Sequence, residues 1–113
     1  MTKIIKELEK ILQYEFKDKN LLHNALTHKS YSENNNEKLE FLGDRVLGLI
    51  ISKKLLDKYP NEKEGIIDKK LANLVNKKTC SLISKKINLS KYIILGSSHK
   101  KLDRSGDKIS SDC

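Results

Sequence analysis

A chain of 113 residues has room for one hydrophobic core and not for two. With 37% hydrophobic and 34% charged residues it is too apolar for a disordered polyelectrolyte, and its longest apolar run, Val46-Leu47-Gly48-Leu49-Ile50-Ile51, is far too short to span a bilayer. The net charge of +8 is uneven: twelve basic and six acidic side chains follow residue 60, against eleven and nine before it, so the second half is the part expected to face a polyanion.

Ile4, Ile5, Leu8, Ile11 and Leu12 recur at helical spacing and predict a first helix with one buried stripe. Leu21, Leu22, Ala25 and Leu26 predict a second, ending near Thr27-His28-Lys29-Ser30. The polar stretch Ser32-Glu33-Asn34-Asn35-Asn36 then reads as a loop closing in an asparagine cap. A long helix follows from Glu37 to Lys58, apolar on more than half its circumference and so expected at the centre of the core; Pro60 stops it. Ile67, Leu71, Leu74 and Val75 predict a fourth helix after Glu64-Gly65. Leu82, Ile83 and Ile87 predict a fifth, with Thr79 as its expected cap, and a short piece runs from Tyr92 to Leu95. No stretch alternates as a strand does, so the expected class is all-α.

Glu37, Glu40 and Asp44 are spaced by three and four residues and share one face of the long helix. Like charges so placed repel by a few tenths of a kcal/mol unless a cation compensates, and oxygen-only ligation points to Mg²⁺, with Mn²⁺ as a substitute. The same spacing also describes a solvated acidic face near a helix start, where glutamate is favoured. Gly43 and Gly48 interrupt the helix beside these acids, which argues for a close approach to the backbone there. His23, His28 and His99 show no paired metal-ligand spacing and are read as structural or surface residues. The lysine pairs Lys69-Lys70, Lys77-Lys78, Lys85-Lys86 and Lys100-Lys101 are read mainly as solvated faces, some of them able to meet phosphates. Cys80 and Cys113 fit a reducing compartment better than a disulfide framework. Met1-Thr2-Lys3 leads straight into an amphipathic pattern, so a cytoplasmic location and no membrane crossing are expected.

The run Asn36-Glu37-Lys38-Leu39-Glu40-Phe41-Leu42-Gly43-Asp44 resembles the signature helix of the ribonuclease III family, endonucleases specific for double-stranded RNA. Leu26-Thr27-His28-Lys29-Ser30 is similar to the family's Leu-Thr-His-x-Ser element, and Glu64-Gly65, Leu74-Val75 with Thr79, and Leu95-Gly96 follow in the family's order. The resemblance covers nearly the whole chain. It implies the nuclease-domain helical fold for residues 1–113, with the last helix incomplete and no C-terminal double-stranded-RNA-binding domain. Ile109-Ser110-Ser111-Asp112-Cys113 resembles the start of a second acidic helix, so the expectation is a fragment, inactive by itself.

Carried over by position, the resemblance implies metal ligation by Glu40, Asp44 and Asp112, with Glu37 and Glu64 as further catalytic acids near the RNA strand. It further implies Mg²⁺-dependent phosphodiester hydrolysis leaving 5′ phosphate and 3′ hydroxyl ends, in the processing of ribosomal RNA and structured transcripts. Phe41 is implied as the anchor of a homodimer. The competing expectation is a relative that has lost catalysis and serves as an RNA-binding or ribosome-associated scaffold. Intact Glu40 and Asp44 argue against it, because acids facing a polyanion bring a binding module nothing.

Overall fold

The computed structural model describes residues 2–97 and, within them, α1 (Thr2–Leu12), α2 (Lys19–Leu26), α3 (Glu37–Lys58), α4 (Glu64–Leu74), α5 (Lys77–Lys86) and a 3₁₀ turn (Leu89–Tyr92). The all-α expectation holds for these residues; the extended pairing among them is a lone parallel bridge between Thr27 and Ile94. Expectations about His99, Lys100-Lys101, Asp112 and Cys113 fall outside the described residues.

The helical stripe of α1 delivers Leu8, which is 1% exposed, onto Leu22 and Leu26 of α2 and onto Tyr92, with Ile5, Phe16 and Leu89 packed around them. Each such leucine stabilises the fold by about 1.5–3 kcal/mol when removed from water. Helix α2 begins at Asp18, whose Oδ1 accepts a hydrogen bond from the Leu21 amide at 3.1 Å, an N-cap the sequence analysis did not single out. Charged groups close the edges of this core. The buried carboxylate of Glu9 accepts from the Phe16 amide at 2.6 Å and pairs with Lys19, which fixes the α1–α2 corner. Two residues earlier, Glu7 accepts from Lys91 Nζ at 2.7 Å and from the Tyr92 hydroxyl at 3.0 Å, tying α1 to the 3₁₀ turn.

The long helix departs from expectation. It runs from Glu37 to Lys58 and stops before Pro60 as predicted, yet Leu55 is its buried residue, and it does not occupy the centre of the core. Leu49 is 72% exposed, and Leu42, Val46, Ile50 and Leu56 are exposed as well. A helix apolar on both sides has two faces to bury. The side bearing Leu55 is covered, chiefly by α4, which packs along α3, whereas the stripe of Leu42, Val46 and Leu49 is left open to solvent. Helix α5 departs too. Its inward residues are Ser81 and Ser84, while Leu82 and Ile83 are exposed, so the apolar pattern that located the helix named the wrong face. Its cap is Asn76 rather than Thr79: the Asn76 Oδ1 accepts from the Thr79 amide at 2.8 Å.

Candidate active site

Three short segments hold the first turn of α3 in place. Thr27 is 1% exposed, and the backbone around it bonds in two directions. On one edge Leu26 O accepts from the Ile94 amide and the His28 amide donates to Ile94 O, both at 2.9 Å; on the other, Thr27 O accepts from the Asn36 amide at 2.9 Å. Asn36 O in turn accepts from the Glu40 amide at 2.8 Å and so opens the helix. The expected asparagine cap comes from the neighbouring residue, since the Asn35 Oδ1 accepts from the Glu37 amide at 3.0 Å.

From this start, Glu40 and Asp44 lie one turn apart and line the same cleft, about 300 Å³, together with Leu47, Val75, Asn76, Lys77 and Cys80. The opposite wall is the α4–α5 corner. Asn76 builds it by capping α5 with its Oδ1 while its Nδ2 donates to Ala72 O at 2.9 Å and Asn73 O at 3.0 Å, the closing carbonyls of α4. One side chain thus satisfies both helix ends and turns the first residues of α5 toward the acids. The residue after the cap, Lys77, brings a cation to a cleft that otherwise holds two carboxylates.

Among the five acids assigned from sequence, the structure brings Glu40 and Asp44 together. Glu37, at the first position of α3, and Glu64, at the first position of α4, are exposed and do not line the cleft, and Asp112 lies outside the described residues. Among the described residues no group of three or more His, Cys, Asp or Glu stands close enough to hold a metal ion. Two carboxylates from successive turns with open space before them nevertheless suit Mg²⁺, which keeps several of its waters and is commonly held by one or two carboxylates. Within this chain nothing approaches Gly43 or Gly48: a Cβ built on either meets no atom within 4 Å.

Asn76, Lys77 and Cys80 were missed as site residues. The sequence offers only a shared face at the start of α5 for positions 76, 77 and 80; what brings that face to the acids is a tertiary contact, and Lys77-Lys78 reads locally as a solvated pair. Phe41 is 62% exposed, not a core residue; the Arg45 guanidinium stacks 3.8 Å from its ring centre and donates to Phe41 O at 3.1 Å.

A helical domain with two carboxylates in a cleft beside its long helix, held at that helix's start by backbone bonds of Thr27 and His28, has counterparts among known proteins. A family model described as Ribonuclease-III-like matches residues 18–113. The chain is 60% identical over 109 residues to the Ribonuclease 3 of Pelagibacter ubique (strain HTCC1062), covering 95% of this chain and 49% of that protein. It is 49% identical over 94 residues to the Ribonuclease 3 of Campylobacter jejuni (strain ATCC 700819 / NCTC 11168), covering 82% and 42%. The nuclease domain of ribonuclease III from Campylobacter jejuni, solved with attention to structural flexibility in a region involved in dimer formation, superposes with a TM-score of 0.88 at 44% identity, over 96% of this chain and 77% of that one. A 2.2 Å crystal structure of the same nuclease domain gives 0.85 at 43% identity, over 95% and 74%. The chain belongs to the ribonuclease III family. It spans about half the length of the curated relatives it matches.

Proposed function

We propose that this chain forms the nuclease domain of a metal-dependent endoribonuclease that cuts double-stranded RNA; the name Ribonuclease 3 of its relatives supports the ribonuclease part of this reading. The observation that carries this reading is the cleft in which Glu40 and Asp44 lie side by side opposite Lys77. A scaffold that only bound RNA would gain nothing from two acids facing a polyanion.

Glu40 and Asp44 would hold Mg²⁺, or Mn²⁺ in its place, and Asp112 is a third carboxylate ligand that family membership implies. When bound, the ion supplies the Lewis acidity for hydrolysis of a phosphodiester to 5′ phosphate and 3′ hydroxyl ends. The protein's own contribution is orientation. Glu40 and Asp44 are fixed on a 22-residue helix whose start is anchored through Asn36, and Lys77 offsets the repulsion between the acids and an incoming phosphate. Glu37 and Glu64, at the exposed starts of α3 and α4, are read as outer acids near the RNA strand. The substrates in view are ribosomal RNA precursors and structured transcripts.

Assembly is read as a homodimer through the open side of α3, with Phe41 as anchor. Its support is the exposed stripe and the dimer-forming region noted for the Campylobacter jejuni nuclease domain. A cytoplasmic setting fits a lysine-rich chain with two cysteines, and no helix among the described residues is long and apolar enough to cross a membrane.

The test is Asp44→Asn in the full-length protein. Cleavage of a duplex RNA in Mg²⁺ is expected to vanish while duplex binding, measured by filter retention, stays within about twofold, because the acid acts on the metal and not on RNA affinity. Cutting at an undiminished rate would remove Asp44 from the metal site and with it this reading of the cleft.

A further inference from the structure

The segment 26–30 does more than terminate α2. The Ser30 hydroxyl oxygen accepts from the Gly96 amide at 2.9 Å and lies 2.8 Å from His28 Nδ1, while the Ser30 amide donates to that same Nδ1 at 3.2 Å. An N–H aimed at Nδ1 requires a lone pair there, so the His28 proton sits on Nε2. The serine hydroxyl then has one arrangement open to it: it donates its hydrogen to Nδ1 and accepts from Gly96. The relay runs in one direction, from Gly96 N–H through Ser30 O–H to His28 Nδ1. Gly96 is shaped for it, because a Cβ at that position would collide with the Ser30 carbonyl oxygen.

The relay lies two residues beyond the Thr27–Ile94 bridge and locks the segment 94–96 against 26–30. The other edge of the same segment carries Asn36 on Thr27 O, and Asn36 O carries the Glu40 amide. The position of Glu40, and of Asp44 one turn later, is therefore tied by hydrogen bonds through Asn36 to Thr27, and by the backbone that follows Thr27 to His28 and Ser30.

We propose that Ser30, oriented by the acceptor nitrogen of His28, is a positioning residue for the metal-binding acids Glu40 and Asp44. This rests on the reading of those acids as metal ligands. Removing a group that supports metal ligands, without being one, typically lowers metal affinity or activity about ten- to hundredfold.

The test measures duplex RNA cleavage by the full-length protein and, separately, calorimetric binding of Mn²⁺ alone, with Asp44→Asn as the control. Ser30→Ala and His28→Leu are expected to lower kcat and Mn²⁺ affinity by roughly tenfold or more with KM for RNA nearly unchanged, since they disturb the acids and not the RNA surface. His28→Asn, which places an acceptor at the δ1 position, should recover most of both. His28→Gln, whose acceptor stands one bond further out, should not. Unchanged kcat and Mn²⁺ affinity in Ser30→Ala, beside an inactive Asp44→Asn, would overturn the proposal and leave the metal reading intact, whereas an active Asp44→Asn would overturn that reading itself. Should Ser30→Ala fail to fold, the histidine pair decides: equal rates for His28→Asn and His28→Gln would overturn the proposal.

Discussion

Glu9 is 8% exposed, and a charge so withdrawn from water is costly unless donors meet it. The hydrogen bond from Lys19, followed by that from the Phe16 amide, holds its pKa below the ordinary glutamate value. A lowered folded-state pKa means that the ionised form stabilises the fold above the unfolded-state value, and that this contribution disappears as pH falls through the lowered one. Glu9→Gln is therefore expected to be less stable than the parent at neutral pH, with the gap narrowing progressively as pH drops below about 4. Urea denaturation at several pH values measures it, and a gap independent of pH would show that packing, not charge, is what Glu9 contributes. Glu7 behaves alike, its pKa lowered first by the bond from Lys91 and then by that from Tyr92, so the same acid range loosens α1 from the 3₁₀ turn as well as from the start of α2.

At the scale of elements, the junction between α4 and α5 depends on Asn76. Asn76→Ala removes an N-cap, worth about 1 kcal/mol, together with two bonds to the carbonyls that end α4. Asn76→Asp keeps the cap and loses those donors, so it should fall between the parent and Asn76→Ala in thermal melting; a melting temperature equal to that of Asn76→Ala would assign the stability to the α4 carbonyls. Helix existence was legible in the sequence because apolar residues recur with helical spacing inside each segment, as Ile4, Leu8 and Ile11 do in α1 and Leu22 and Leu26 in α2, and Pro60 forbids continuation of α3. Which face turns inward was less legible: α5 buries Ser81 and Ser84 against neighbours that no periodicity reveals. Glu40 and Asp44 were legible as a pair because they share one helix and their spacing is fixed by its geometry. Their partners in the cleft, Asn76, Lys77 and Cys80, arrive from a different helix, and a tertiary contact leaves no local period in the chain.

At the scale of the whole molecule, α3 divides two surfaces. At 100° per residue, Leu42, Val46 and Leu49 fall on the side of the helix opposite Glu40 and Asp44, so an apolar partner on one side would not compete for space with a cation proposed for the other. Phe41 lies between the two, capped by Arg45 and exposed. If it anchors a symmetric dimer, Phe41→Ala should weaken association by about 2 kcal/mol or more, roughly thirtyfold in Kd. Sedimentation equilibrium reads this directly, and an unchanged dimer would take Phe41 out of the interface.

The bond between Ser30 and Gly96 joins residues 66 positions apart, and the stretch between them contains α3, α4 and α5 entire. Closing a loop of that length costs roughly 4 kcal/mol in chain entropy, a cost that local helix formation does not repay. The knot of hydrogen bonds around Thr27 should accordingly be tied late in folding, after the helices have formed and begun to pack. Contacts made after the transition state govern how fast a protein comes apart rather than how fast it assembles. Ser30→Ala should then accelerate unfolding and leave the refolding rate nearly untouched, so that stopped-flow traces in urea would move one arm of the chevron alone. The acids would in that case be carried on a formed helix before the fold is locked around them, and the lifetime of the assembled site would be set by the release of a single serine.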